Sequence, residues 1–317
     1  MNSCAGTVLM IRPAAFRYNE ETAVNNYFQQ PSRISTEELQ TLARQEFDGM
    51  VQQLQRAGVE VLVIEDSPQP VKPDAVFPNN WLSTTADGRV HLYPLFAPNR
   101  RAERRSGIVT LLQRLFNVER VNDWSFLEEN GLFLEGTGSI VFDHSGKTAY
   151  AALSPRTSRE ALMLLAGAHG YAPVSFDAQD AQGRPIYHTN VLLSIGDGFA
   201  LGCSAALVNE EEQMQVQRRL AESGHEWIDL DFAELEAFGA NLLQLQNRKG
   251  ERVIALSQTA FDVFRPATKN KLEQYGTLLP IAVPTIERVN GGSVRCMLCE
   301  IFLTPKAAPA GASPLSQ

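Results

Sequence analysis

The sequence predicts an α/β fold in which five ββαβ units close into a ring, giving a five-fold pseudosymmetric α/β propeller. The first observation is a period. The residues that end the predicted helices stand at positions 58, 117, 170, 224 and 276, at intervals of 59, 53, 54 and 52 residues. The second is that each helix after the first follows two apolar, β-rich runs typical of a hairpin. The third is a surplus apolar segment at the C-terminal end, whereas the first unit lacks one strand. Such a period indicates units that bury one another's apolar faces.

The first unit begins with a short apolar strand over 8–11 and continues with a helix over 35–58. Ser35 and Glu38 have the spacing of a capping box, apolar residues recur on one helix face, and Gly58 ends the helix. A strand over 59–64 follows. The unit therefore contains one clear strand before its helix and one after it.

The other units repeat this order. A hairpin is predicted over 190–195 and 198–202, and the C-terminal segment 295–303 can supply the strand that the first unit lacks. Cyclic closure then makes residues 1–305 one domain, while the Ala-, Pro- and Ser-rich tail 306–317 is predicted to be disordered. A doubly wound parallel sheet remains the alternative. The further helices are predicted over 99–116, 157–169, 209–223 and 268–275.

Composition and charge narrow the function classes. The chain has 317 residues, 44% hydrophobic and 20% charged, as in ordinary globular proteins. Its 28 Lys and Arg residues against 36 Asp and Glu residues give a net charge of −8, without the basic footprint of a nucleic-acid binder. The first apolar run, 7–11, is far too short for a membrane span or a signal segment. We therefore expect a cytoplasmic protein whose partner is a small molecule, not a nucleic acid or a membrane; homo-oligomerisation stays open.

The four cysteines, at positions 4, 203, 296 and 299, make no disulfide framework in a chain of this length. Only Cys296 and Cys299 have CxxC spacing. Because no second pair exists and no histidine is near in sequence, this is a weak metal or redox signal. We expect neither a metal ion nor an organic cofactor.

Polar or nucleophilic residues recur at one point of each unit, near the start of its first strand. Their intervals of 55, 53, 53 and 55 residues match the helix period. In a ring, such positions converge on the central axis, so we expect these side chains to share one pocket. The five residues are Asn80, Glu135, His188, Asn241 and Cys296.

Three of the five form a candidate catalytic triad. Cysteine is a nucleophile as a thiolate, histidine moves protons near neutral pH, and a buried glutamate can orient a histidine. Cys296, His188 and Glu135 are therefore the candidates for covalent catalysis. Taken singly, each also has a structural interpretation: a small buried hydrophobe, a core histidine and a turn glutamate.

Four motifs stand out: Gly-Gly-Ser-Val-Arg-Cys-Met at 291–297, Leu-Glu-Gly at 134–136, Ser-Pro-Arg-Thr at 154–157 and Asn-Arg-Arg-Ala-Glu at 99–103. They resemble the guanidino-group-modifying superfamily of arginine deiminases, dimethylarginine dimethylaminohydrolases and amidinotransferases. The resemblance extends to about residue 303 and implies a five-fold α/β propeller, the pentein fold.

Three longer motifs are Phe-Arg-Tyr-Asn-Glu-Glu-Thr-Ala at 16–23, Pro-Asp-Ala-Val-Phe-Pro-Asn-Asn-Trp at 73–81 and Ile-Tyr-His-Thr-Asn at 186–190. These resemble the arginine-deiminase-related branch that includes citrulline-utilisation hydrolases, also called citrulline ureidases. The resemblance implies Cys296 as the nucleophile, His188 as general acid and base, and Glu135 as the partner of His188. The residues that match those holding the substrate are Arg100 and Arg156 for its carboxylate and Asp74 for its α-amine.

Asn79 and Asn80 depart from the guanidine-handling relatives, which carry acidic side chains at these positions. A guanidinium offers only donors and a positive charge, so amides here remove its counter-charge. A ureido group is neutral, with a carbonyl acceptor and N–H donors, and an asparagine complements both. The departure favours citrulline over arginine. Asn241, at the equivalent point of the fourth unit, completes the predicted substrate-binding set.

The sequence thus predicts a Cys-dependent hydrolase of a C–N bond, acting on citrulline to give ornithine, ammonia and carbon dioxide. Hydrolysis of arginine or a methylated arginine is the alternative within the superfamily, and amidino transfer is another. A non-enzymatic alternative is an amino-acid-binding protein that kept the ring but lost the chemistry. We also expect residues 16–28, which lack the apolar pattern of a core helix, to act as a lid over the pocket.

Overall fold

The computed structural model describes residues 4–307, which form five three-stranded sheets. In each sheet one outer strand runs antiparallel to the middle strand and the other runs parallel to it. Four of the five units are therefore a hairpin followed by a helical crossover. The strands are β1 (Thr7–Arg12), β2 (Glu60–Glu65), β3 (Leu82–Thr84), β4 (Arg89–Leu92), β5 (Arg120–Asp123), β6 (Val141–Asp143), β7 (Thr148–Ala152), β8 (Ala172–Phe176), β9 (Leu193–Gly196), β10 (Phe199–Gly202), β11 (Glu226–Asp229), β12 (Leu243–Gln246), β13 (Arg252–Ser257), β14 (Thr277–Ile281) and β15 (Cys299–Ile301).

The C-terminal strand completes the first sheet. β15 pairs antiparallel with β1, placing Ile301 opposite Thr7 and Cys299 opposite Leu9, and β1 pairs parallel with β2. The predicted cyclic closure is confirmed, and the sheets built from residues 4–307 are not a doubly wound parallel sheet. Beyond β15 the chain continues against the second unit, where the Asn117 N–H donates to the Thr304 carbonyl at 2.8 Å. The part of the predicted tail beyond residue 307 lies outside the described residues.

Helices connect the middle strand of each sheet to its parallel partner. The long helix of the first unit begins as predicted, since the Ser35 hydroxyl accepts from the Glu38 N–H at 3.1 Å. The helices are α1 (Glu20–Ala23), α2 (Thr36–Arg56), α3 (Ser106–Leu115), α4 (Gly136–Ser139), α5 (Arg159–His169), α6 (Thr189–Leu192), α7 (Glu210–Glu222), α8 (Phe232–Glu236), α9 (Gln258–Val263), α10 (Pro266–Leu272) and α11 (Pro284–Asn290).

Three elements differ from the prediction for local reasons. The first half of the helix predicted over 99–116 is a 3₁₀ turn, Pro98–Glu103, and α3 begins only at Ser106. The last predicted helix, 268–275, corresponds to α10, which begins two residues earlier at Pro266, a residue well placed at a helix start, and follows a separate short helix, α9. The strand predicted over 190–195 begins as the helical turn α6 and becomes β9 at Leu193.

The buried face of α2 packs the first unit onto its neighbours. Leu39, Ala43, Phe47, Met50 and Leu54 are buried at helical spacing. They belong to one apolar cluster with residues of β1, β12 and α11. Among the described residues, no helix is long and apolar enough to span a membrane.

Candidate active site

Short turns before the first strands of the sheets carry the predicted polar residues. Asn80 ends the 3₁₀ turn Pro78–Asn80, two residues before β3, and Cys296 lies in the turn Val294–Met297, three residues before β15. Asn241 stands two residues before β12. All three side chains are buried. The ring therefore brings together the ends of several such turns.

Glu135 and His188 stand one helical turn earlier in their units, directly before α4 and α6. Nε2 of His188 lies 2.8 Å from Oε2 of Glu135. Burial lowers the pKa of His188 to about 4, although the hydrogen bond and the charge of Glu135 act to raise it. His188 is therefore neutral at pH 7, and the hydrogen-bond network assigns its proton to Nε2, which donates to the carboxylate. Nδ1 is left as the acceptor.

Glu135 is ionised despite its burial. Burial alone opposes ionisation, but Arg156, His188 and Arg100 outweigh it and lower the pKa of Glu135 to about 2. The Nη1 atoms of both arginines lie 3.6 Å from Oε2, and the Phe96 N–H donates to Oε1 at 2.9 Å. The carboxylate thus orients His188 while two cations balance its charge.

Gly138 allows the Asn80 and His188 side chains to lie close to its backbone. A Cβ at this position would lie 2.5 Å from Nδ2 of Asn80 and 2.9 Å from Nδ1 of His188. Gly136 has φ +48°, and a Cβ there would lie 2.2 Å from the Asn79 carbonyl oxygen. These contacts give a physical reason for both glycines of Glu-Gly-Thr-Gly.

Cys296 is buried beside two amides. Its Sγ lies 3.3 Å from Nδ2 of Asn241 and 3.7 Å from Nδ2 of Asn190. Burial raises the pKa of the Cys296 thiol, whereas hydrogen bonds from the Ser293 backbone and from the Asn241 amide act to lower it. The thiol is the resting form, and its ionisation depends on what surrounds the sulfur.

The second cysteine of the CxxC motif points elsewhere. The Cys299 thiol donates to the Leu82 carbonyl at 3.4 Å, and burial raises the pKa of Cys299. Within residues 4–307, no group of three or more His, Cys, Asp or Glu side chains could hold a metal ion. The geometry separates the two thiols: Cys296 faces the axial site, and Cys299 belongs to the sheet.

A small cavity adjoins Cys296 and His188. The N-terminal segment, residues 16–28, lies over it, and the Asn26 side chain there donates to the Asn290 carbonyl at 3.1 Å. This segment, which contains the short helix α1, therefore lies where the sequence predicts a lid. The cavity is lined by Asn26, Asp74, Phe77, Asn80, Arg100, Arg156, Tyr187, His188, Asn290, Gly292 and Cys296.

The two predicted carboxylate-binding arginines are held differently. Arg100 forms a two-pronged pair with Glu103, at 2.9 and 2.8 Å, and its Nη1 donates to Asn80 Oδ1 at 2.8 Å. Arg156 donates instead to the N-terminal segment, from Nε to Asn25 Oδ1 and from Nη2 to the Thr22 carbonyl, both at 2.7 Å. Arg156 thus ties the N-terminal segment to the cavity that this segment covers.

Asp74 is held by three neutral side chains. Its Oδ2 accepts from Asn19 Nδ2 at 2.7 Å and from the Thr22 hydroxyl at 3.2 Å, and Nδ2 of Asn290 donates to its Oδ1. Nε of Arg100 lies 3.7 Å from Oδ2. Among the described residues that line the cavity, Asp74 is the one carboxylate.

The predicted residues separate into two groups. Those that line the cavity are Asp74, Asn80, Arg100, Arg156, His188 and Cys296, and those that stand behind it are Asn79, Glu135 and Asn241. Sequence reasoning missed Glu103, the ion-pair partner of Arg100, and Asn190, two residues after His188. An Arg-x-x-Glu spacing and the position of Asn190 within the 53-residue period were the available signals.

Five such sheets around a buried Cys, His and Glu, together with a family match over most of the chain, place the protein among the guanidino-group-modifying α/β propellers, the penteins. A family model described as "N,N dimethylarginine dimethylhydrolase, eukaryotic" matches residues 12–303, and the chain belongs to this family. No curated protein matches the chain significantly.

Solved structures share the fold at low sequence identity. The N-terminal domain of ArgZ, an arginine dihydrolase from the ornithine-ammonia cycle in cyanobacteria, superposes with a TM-score of 0.71 at 17% identity, over 93% of this chain and 97% of that one, in its substrate-bound form. AgrE with ornithine and NAD⁺ gives 0.70 at 17% identity, over 96% of this chain and 40% of that one. A dimethylarginine dimethylaminohydrolase adduct with S-methyl-L-thiocitrulline gives 0.62 at 15% identity, over 94% and 100%.

Proposed function

We propose that this protein is a Cys-dependent hydrolase of a C–N bond in a ureido amino acid, and that its substrate is citrulline. The observation that carries the proposal is the charge of the cavity. A zwitterionic α-amino acid has a partner for each end, since Asp74 can accept from the α-amine and Arg156 can bind the carboxylate. No second carboxylate lines the described cavity to balance a guanidinium, whereas the Asn80 amide can pair with a neutral ureido group.

The proposed reaction begins at the ureido carbon. The Cys296 thiolate adds to this carbon, and the bond to the ornithine nitrogen breaks as His188 delivers a proton to that nitrogen. The proton lost when the Cys296 thiol ionises balances the one that His188 delivers. Ornithine leaves, and a carbamoyl group remains bonded to the sulfur.

Water then hydrolyses this carbamoyl thioester. His188, with Nδ1 as acceptor and Nε2 bonded to Glu135, takes a proton from the attacking water. The C–S bond breaks, the thiol regains a proton, and the released carbamic acid gives ammonia and carbon dioxide. The reaction needs no metal ion or organic cofactor.

Hydrolysis of arginine or of a methylated arginine is the second candidate. The family match favours it, because the family is described by its action on dimethylarginine, and one similar structure is of an arginine dihydrolase. Both candidates use the same cysteine and histidine. They differ in whether the substrate group near Asn80 is a neutral ureido group or a cationic guanidinium.

The test is a substrate panel with the purified protein. Ammonia, ornithine and citrulline are measured after incubation with citrulline, arginine, dimethylarginine and agmatine, with Cys296→Ser as the blank. We expect ornithine and ammonia from citrulline, and weak activity on agmatine, which lacks the carboxylate. Turnover of arginine or dimethylarginine without turnover of citrulline would overturn the substrate assignment. A product of citrulline from arginine would identify a deiminase instead.

A further inference from the structure

The orientation of the Asn241 amide is fixed by two backbone groups. Its Oδ1 accepts from the Arg295 N–H at 3.1 Å, and its Nδ2 donates to the Asn190 carbonyl at 2.9 Å. In the flipped orientation an amide NH₂ would face an N–H and an amide oxygen would face a carbonyl, so both bonds would be lost. The network therefore leaves one N–H of Asn241 for the sulfur of Cys296, 3.3 Å away.

Asn190 presents a second amide to the same sulfur. Its Nδ2 lies 3.7 Å from Sγ, and its backbone carbonyl is the acceptor that holds Asn241. In both asparagines the amide oxygen is farther from the sulfur than the nitrogen, at 3.6 Å for Asn241 and 3.9 Å for Asn190. Both side chains are buried, so water competes little for these contacts.

Two titratable side chains near Cys296 already have other partners. His188 pairs with Glu135. The Arg295 guanidinium donates to the Leu298 carbonyl at 2.8 Å and to Glu300 at 2.9 Å. A buried sulfur without such a partner stays protonated, because desolvation disfavours the thiolate.

We propose that Asn241, supported by Asn190, donates a hydrogen bond to the thiolate form of Cys296 and so prepares the nucleophile before substrate reacts. This assigns Asn241 to the nucleophile and not to substrate binding. The inference rests on the proposed function only in taking Cys296 as the reacting thiol. It is tested without any substrate.

The measurement is the pH dependence of Cys296 alkylation by iodoacetamide. The modified Cys296 peptide is quantified by mass spectrometry in the wild type and in Asn241→Ala, Asn241→Asp and Asn190→Ala variants. Losing a hydrogen bond to a charged sulfur is expected to raise the pKa of Cys296 by about one unit in Asn241→Ala, a tenfold slower alkylation below that pKa. Asn241→Asp should raise it further, because a carboxylate then faces the thiolate. Asn190→Ala, which removes the longer contact, should raise it less.

The aspartate variant also protects the test against misfolding. An aspartate has the shape of asparagine and can still accept from the Arg295 N–H, but it loses the bond to the Asn190 carbonyl, so the fold of each variant is checked by circular dichroism. Cys299, bonded to the Leu82 carbonyl, is an internal control that should stay unreactive in every folded variant.

An unchanged alkylation pKa in both Asn241 variants would overturn the inference. If the pKa stays constant while KM for citrulline rises, Asn241 contacts substrate instead. If the wild type turns over no citrulline but the alkylation pKa shifts as expected, the proposed function fails and the inference stands.

Discussion

Asn80→Asp is the change that most directly tests how the site distinguishes a ureido from a guanidino group. Aspartate has the same shape, so Oδ1 can keep its 2.8 Å bond from Arg100. The other atom changes from an NH₂ that donates to Asn79 Oδ1 at 3.1 Å into an anionic oxygen. Rotation of the Asn79 amide would restore a donor there, because the Thr137 hydroxyl that accepts from Asn79 Nδ2 can also donate. The substitution therefore adds charge with little strain.

The magnitude follows from one charge-assisted hydrogen bond. Such a bond is worth about 1.5 to 3 kcal/mol, and 1.4 kcal/mol is about a tenfold change in an equilibrium constant. A guanidinium near Asn80 would gain this interaction, whereas the ureido carbonyl would face an anionic oxygen. The arginine-to-citrulline ratio should rise between about tenfold and about 150-fold.

The assay is kcat/KM for both amino acids in wild type and variant, together with arginine binding by calorimetry, since tighter binding need not bring faster turnover. The matched control is Asn79→Asp, because Asn79 is buried behind the cavity wall and should change the ratio less. Converting Asn79 to the longer glutamate would overfill this buried position. Arg156→Ala should weaken both amino acids through the shared carboxylate. An unchanged ratio in Asn80→Asp would refute the assignment of Asn80 to the distal group of the substrate.

Three further experiments test the catalytic geometry and the segment 16–28 that lies over the cavity. Gly138→Ala is expected to lower kcat/KM by about 100-fold without unfolding the protein, because the added methyl would lie 2.5 Å from the Asn80 amide nitrogen; an active, folded variant would contradict this packing. Cys296→Ser should abolish turnover and Cys299→Ala should retain most of it; an essential Cys299 would reverse the assignment of the nucleophile. Limited proteolysis within residues 16–28 should slow when substrate is present, and equal nicking with and without substrate would argue against a lid.

The ring could be predicted because each unit repeats one order of elements at nearly constant spacing. The helix-ending residues recur every 52 to 59 positions, and a repeated unit with one strand missing at the start and one surplus at the end has a simple solution in closure. Helix boundaries were harder to predict than the order of the elements. Apolar periodicity joins the turn Pro98–Glu103 to α3 across Arg104 and Arg105, whose backbone is not helical. Pro266 begins α10, two residues before the predicted helix start.

The axial residues could be found by period only to within one helical turn. Glu135 and His188 stand before their turns, whereas Asn80, Asn241 and Cys296 stand near the ends of theirs. A shift of a few residues around a turn changes which neighbour a side chain meets. Cys296 stands three residues before β15. The equivalent positions, three residues before β6 and β9, are Gly138 and Asn190.

This shift around a turn explains why the sequence did not predict Asn190 as a site residue. As part of a predicted strand over 190–195 its side chain would alternate with its neighbours, but in the turn α6 it lies beside Cys296. Glu103 was missed for a related reason. In a regular exposed helix it would pair with Arg100 at the surface, whereas the 3₁₀ turn Pro98–Glu103 directs both side chains inward.

Acid should weaken the fold through histidines that are buried in their neutral form, and His91 gives the clearest test. Burial and then the neighbouring His169, whose ring lies 3.7 Å away, lower the pKa of His91 to about 2. An unfolded chain has a histidine pKa of about 6.5, so below that pH it binds a proton that the folded protein excludes. Stability is therefore full above pH 6.5 and falls as the pH drops, by about 2 kcal/mol per such histidine between pH 6.5 and 5.

His91→Phe removes this proton linkage while keeping a flat ring against His169. We expect the difference between the unfolding free energies at pH 7 and pH 5, measured by urea titration, to shrink by about 2 kcal/mol in the variant. Carboxylates that titrate in the same window cancel in the comparison with wild type. The Trp124 indole loses the acceptor that it has in His91 Nδ1 at both pH values, so this cost cancels as well. Equal pH dependence in the two proteins would mean that His91 gains its proton in the folded state, and that the stacked pair is not held neutral by burial.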